Sequence, residues 1–104
     1  MKHSIMTKTE QLFADVTTTL HQRGSDYGHP IGNHKRIAEL WSAYLGYPIQ
    51  ANEVAVLMCL VKISRMAEDA RVTDNYTDAL GYIAIAKTIT EAMQDEDGVW
   101  KDGI

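Results

Sequence analysis

Apolar residues recur every three or four positions along most of the chain, the spacing of helices that bury one face. A first helix is expected over about residues 7–22, where Leu12, Phe13, Val16 and Leu20 share a side and Gly24 supplies a stop. The β-branched run from Val16 to Thr19 makes a strand the competing reading, but length and period favour helix. Residues 1–6 read as a loose start. Three glycines and Pro30 within residues 23–32 predict a structured loop. A second helix is expected over about 33–45, with Ile37, Leu40, Trp41, Tyr44 and Leu45 forming a wide apolar stripe that Gly46 and Pro48 end. The third helix begins near 50–52, where Ile49 and Val54 can staple a cap and Glu53 suits the positive end of the dipole. From Val54 to Val61 it is apolar on all sides, which predicts a central, covered helix, and it frays near 68–71. A fourth helix opens at Thr73 or Asp74 and carries Tyr76, Leu80, Ile83, Ile89 and Met93. Gly81 in its interior, near Ala79, Ala84 and Ala86, predicts a close helix approach, within the bundle or to a second subunit. Residues 95–104 form an acidic, solvated tail with Trp100 packed back onto the body. The expectation is one all-α domain over residues 1–104, a bundle of about four helices.

Composition narrows the function classes. A chain of 104 residues with 45% apolar and 23% charged residues is an ordinary globular domain. Its formal net charge of −4 excludes sequence-independent binding to a nucleic-acid backbone but leaves a local site for a small anion open. One cysteine, Cys59, excludes an internal disulfide framework. No apolar run reaches the length of a membrane span and no leader pattern opens the chain, so a cytoplasmic protein is expected. The four histidines lack zinc-ligand spacing, and no Ser-His-Asp or Cys-His arrangement is evident.

The chemistry lies where the third and fourth helices meet. A connection over about 69–73 forces them antiparallel, so facing residues have numbers of nearly constant sum. Lys62 then lies across from Asp78, and Arg65 across from Asn75, with Tyr82 on the same side as Asp78. Charges beside an apolar core must be paired, and two readings follow. Either Lys62 and Asp78 are a structural ion pair, or two cations, one carboxylate, an amide and a phenol line an anion pocket whose surplus cation a phosphate would neutralise. His29, Asn33, His34, Lys35 and Arg36 gather beside a helix N-terminus, either as a second arm of that pocket or as a solvated first turn. The loop is no P-loop, because Gly-Lys-Ser/Thr is absent.

Three segments carry a family likeness: Tyr27-Gly28 with Asn33-His34 and the run from Ile37 to Gly46; Val54 to Met58 with Lys62-Ile63-Ser64-Arg65; and Asp74 to Tyr82. Together they resemble a small domain of unknown function from bacteriophage and prophage proteins, over roughly residues 23–87. The resemblance implies a phage-encoded protein working in the cytoplasm of a bacterial host. A more distant similarity is to the all-α nucleoside triphosphate pyrophosphohydrolases of the MazG type, whose fourth-helix motif Asp78-Ala79-Leu80-Gly81-Tyr82 matches in its second half. Asn75 stands where that motif has glutamate, and Glu39 and Glu53 stand alone where those enzymes carry a Glu-x-x-Glu magnesium motif. Residues and likeness together lead to the expectation of a MazG-like bundle, a homo-oligomer, that takes a phosphorylated nucleotide or similar small anion. Its catalytic set would be Asp78, Lys62 and Arg65, with Asn75, Tyr82, Tyr27, His29, Asn33 and Arg36 contacting the ligand. As an enzyme, Asp78 would hold Mg2+ while Lys62 and Arg65 neutralise the pyrophosphate leaving group. The alternatives are a non-catalytic protein that sequesters a host nucleotide signal or binds a host protein, and an interaction module with no small ligand.

Overall fold

The structure, a computed structural model, describes residues 4–97, apart from the side chains of Tyr27 and of residues 95–97. Four helices make up the described chain: α1 (Ile5–Tyr27), α2 (Pro30–Leu45), α3 (Ala51–Glu68) and α4 (Thr73–Asp97). The helix α3 packs along α4, α1 lies on α4 and α2 lies on α3, whereas α2 meets α1 and α4 only sparsely. None of the described helices is long and apolar enough to cross a membrane.

The expected loop over residues 23–32 is almost entirely helical instead. Gly24 does not stop α1; the helix continues to Tyr27 and ends at Gly28, whose φ of 86° is available to glycine and whose N–H reaches the Gly24 carbonyl at 3.0 Å. Pro30 then opens α2 at its first position, where the missing N–H costs nothing and the fixed φ is already helical. The same proline holds His29 in extended backbone, so the break between the helices is as short as two residues can make it. A lone glycine weakens a helix by only about 1 kcal/mol, and tertiary packing overrides it. The start of α1 is corrected in the same direction. Ile5 and Met6 are helical because Ser4 caps them, its Oγ accepting from the Thr7 amide at 3.1 Å. At the other end α4 runs to Asp97, so the tail is helical for its first three residues. Trp100 and the rest of the tail lie outside the described residues.

The remaining boundaries follow the sequence. Gly46 takes the left-handed C-cap of α2, and the Ser42 hydroxyl ties the connection by accepting from the Ile49 amide at 2.8 Å. Glu53 turns back to accept from the Gln50 amide at 2.9 Å, half of a capping box. Between α3 and α4 the turn is held by Asp69, which accepts from the Arg71 amide at 3.0 Å, and by Tyr76, which donates to the Ala70 carbonyl at 3.0 Å.

Burial departs from the sequence reading in two places. The helix α3 is not covered all round: Val54, Ala55 and Cys59 are buried, while Leu57, Leu60 and Val61 are exposed. Likewise α2 buries His34 and Ala38, and Leu40, Tyr44 and Leu45 of its apolar stripe face solvent. Apolar composition reports that a helix has somewhere to bury itself, not how many neighbours it finds. Cys59 is a buried free thiol, and that burial raises its pKa above the ordinary value, as expected of an inert core cysteine.

Gly81 settles one open alternative. A Cβ at this position would stand 3.5 Å from Leu20 Cδ2, so the glycine marks where α1 crosses α4 inside the bundle. That distance is ordinary contact, and the position is mid-helix. Gly81→Ala is therefore expected to raise stability by up to about 1 kcal/mol through helix propensity, read as a higher thermal midpoint. A lower midpoint would show that α1 and α4 approach more closely than this.

Candidate functional site

Asp78 is the centre of the site. Its carboxylate sits on α4 one turn before Gly81, and it is reached from two sides. The Lys62 ammonium of α3 lies 3.1 Å from Oδ2, and the Arg23 guanidinium of α1 lies 3.2 Å from Oδ1. The Lys62 and Asp78 side chains are only 13% and 10% exposed, whereas Arg23 is 44% exposed. The expected pairing of Lys62 with Asp78 therefore holds, and a second contact fixes the same antiparallel register. Asn52 Nδ2 donates to Thr90 Oγ1 at 3.0 Å, deep between α3 and α4.

The second cation differs from the sequence expectation. Arg65 is exposed and its side chain makes no hydrogen bond or ion pair among the described residues, while Asn75 is buried in the bundle and does not line the cleft. One turn beyond Lys62, α3 has already carried Arg65 off the buried side. The missing cation comes from α1. Leu20 against Gly81 and Arg23 against Asp78 share one residue-number sum, as antiparallel helices require. The charge balance is unchanged, with two cations on one carboxylate.

Arg23 and Asp78 line one side of a cleft of about 310 Å³ between α1, α2 and α4, whereas Lys62 sits behind Asp78 and does not line it. Arg23, Asp78 and Asn33 form its polar part, Leu20, Pro30 and Ile85 its apolar part, and His34 and Tyr82 stand edge to face with ring centres 6.3 Å apart. His34 is 4% exposed. Its Nδ1 lies 2.8 Å from the Pro30 carbonyl, which can only accept, so Nδ1 carries the proton. In that tautomer Nε2 is a bare acceptor, and among the described residues it has no hydrogen-bond partner. A buried ring nitrogen without a partner beside a cleft is a group that a ligand can satisfy.

The outer contacts expected from the loop are divided. Asn33 lines the cleft, and its Oδ1 accepts from Arg36 Nη2 at 3.0 Å, which holds an exposed guanidinium next to the mouth. His29 does not line the cleft; it caps α2, its Nδ1 accepting from the Ile31 amide at 3.2 Å. Only the backbone of Tyr27 is described, as the last residue of α1. Sequence reasoning missed Arg23 because it placed that residue past the end of the helix. Continuing the Val16–Leu20 stripe by three more residues is the signal that finds it.

Magnesium does not fit this arrangement. Both oxygens of Asp78 are taken by cations, Glu53 is spent on the α3 cap and Glu39 is exposed on α2. Among the described residues no three His, Cys, Asp or Glu side chains are placed to share a metal.

Residues 11–90 match the family described as Domain of unknown function (DUF6378). The chain belongs to this family. Among its relatives are the Gene 55 protein of Mycobacterium phage L5, 39% identical over 94 residues, which are 89% of this chain and 56% of that protein. The Gene 55 protein of Mycobacterium phage D29 is 35% identical over 94 residues, 88% of this chain and 62% of that protein. The chain thus spans less than two-thirds of the length of these curated relatives. No solved structure matches it. The matched stretch contains Arg23, His34, Lys62 and Asp78, so the site lies inside the DUF6378 domain.

Proposed function

We propose that this DUF6378 domain binds a small phosphorylated molecule, a nucleotide or similar anion, in the cleft between α1, α2 and α4, and that it does so without a catalytic metal. The observation that carries the reading is the imbalance at Asp78, where one carboxylate neutralises only one of the two cations drawn to it. Arg23 offers five N–H donors in a planar fork and spends one on Asp78, which leaves it suited to a phosphate at the cleft mouth. The N-terminus of α2 reaches the cleft wall through Pro30, Asn33 and His34, so the positive end of its dipole favours an anion there. Apolar Leu20 and Ile85 and the Tyr82 ring give a base or sugar a surface, and His34 Nε2 gives it an acceptor. The distant similarity to MazG-type proteins supports a nucleotide over other anions. A single, doubly paired carboxylate favours binding over pyrophosphate hydrolysis, which needs several carboxylates to hold magnesium.

Calorimetric titration with inorganic phosphate, pyrophosphate and nucleoside mono-, di- and triphosphates, with and without Mg2+, tests this directly. Binding that Mg2+ does not improve is expected. Arg23→Gln should weaken it about 10- to 100-fold, the worth of one charge-assisted hydrogen bond of roughly 1.5–3 kcal/mol. No heat and no thermal shift with any of these anions at millimolar concentration would remove the proposal. Mg2+-dependent pyrophosphate release would restore the enzymatic reading.

A further inference from the structure

The α3–α4 hairpin has two sides. One carries Lys62 and Asp78 and is covered by α1 and α2. The other is open, and it is apolar. On α3, Val56, Leu60 and Ile63 follow one another at i, i+4 and i+7; on α4, Tyr76, Leu80 and Ile83 do the same. In the register that pairs Lys62 with Asp78, Val56 falls opposite Ile83, Leu60 opposite Leu80, and Ile63 opposite Tyr76. Leu60, Ile63 and Ile83 are 53%, 47% and 49% exposed, with Val56 and Leu80 half-buried between them. No charged side chain interrupts these two stripes over their two turns.

We infer that this face is where a second copy of the chain docks, hairpin against hairpin, to make a four-helix interface. Two parallel apolar stripes on an antiparallel hairpin present the same pattern after a two-fold rotation, so the surface is complementary to itself. Its size fits. The stripe exposes on the order of 400 Å² of mainly apolar side chain, most of the roughly two-thirds apolar share of the about 800 Å² that a homodimer takes per partner. The chain also has use for it. Among the described residues its buried apolar set consists of alanines, valines, Cys59 and Ile89, with Ile89 and Val54 the only large apolar side chains fully enclosed. So small a core gives a 104-residue chain little to spare against the entropy of folding, and an interface along α3 and α4 supplies the missing burial. Leu40 and Tyr44, also exposed, lie on α2 and outside the hairpin. This inference stands independently of what the cleft binds.

Sedimentation equilibrium or light scattering on the full chain should give the mass of a dimer, falling to half in Leu60→Glu and Ile83→Glu. Both positions are exposed, so each variant should keep its helical circular dichroism. Tyr44→Glu, a charge placed on a more exposed aromatic elsewhere, should leave the dimer intact. Oxidative footprinting of the unmodified protein adds a reading that needs no variant to fold: Leu60, Ile63, Tyr76 and Ile83 should be protected at high concentration and labelled on dilution. A monomer at high micromolar concentration overturns the inference. So does a dimer that persists in a folded Leu60→Glu/Ile83→Glu double variant, or labelling of these four residues that does not change with concentration.

Discussion

Replacing Asp78 by alanine should lower stability by about 3 kcal/mol, the lower end of what stranding a buried charge costs. The lower end applies because the two cations fare differently. Arg23 is 44% exposed and can turn to water, whereas Lys62, 13% exposed and walled by α3 and α4, cannot. For a domain of this size that corresponds to a thermal midpoint about 12–24 °C lower. The double variant Asp78→Leu with Lys62→Met should recover much of the loss, since it removes both ends of the buried pair. A further consequence separates a ligand site from a structural ion pair. With its carboxylate gone, the site holds two unneutralised cations, and inorganic phosphate should raise the midpoint of Asp78→Ala by more than that of the unmodified protein. Equal or absent shifts would mean that Arg23 and Lys62 serve only the fold.

Ile89→Ala should cost about 3 kcal/mol, measured as a lower midpoint in urea unfolding. Ile89 is 1% exposed and is the largest fully buried side chain of the bundle. It also shares a cavity wall with Ile31, near the start of α2, so the loss extends to the element that carries Asn33 and His34. Because domains of this kind are stable by only 5–15 kcal/mol, such a loss takes a large fraction of the total. A shift under about 1 kcal/mol would show that the core is centred elsewhere.

Within each helix and across each short turn, residue spacing was enough. The fourfold count of helices, the ends at Gly46 and Glu68, and the facing of Lys62 and Asp78 all follow from a 3.6-residue period and a turn too short to allow any other register. Asp78 was therefore legible as a buried carboxylate needing a cation. The second cation was not. Arg65 is the nearer choice along the chain, but Arg23 occupies the place, because α1 lies on α4 in a register that no short connection imposes. That register depends on Leu20 fitting over Gly81, a match between residues 61 positions apart that a local pattern does not encode.

The break between α1 and α2 shows the same division from the other side. Three glycines and a proline signal a loop, yet only Gly28 and His29 leave the helices, since a lone glycine such as Gly24 or Gly32 costs a helix only about 1 kcal/mol and does not stop it. Which apolar faces are covered was also beyond the sequence: Val54 and Leu60 look alike by composition, and only the placement of α2 and α4 buries one and leaves the other open. Sequence by itself determined the helices and the one pairing that a short turn dictates, because those depend on neighbours along the chain. The cleft, its arginine, its unpartnered histidine and the open apolar face were decided by tertiary structure, because each depends on how helices far apart in sequence come to rest against one another.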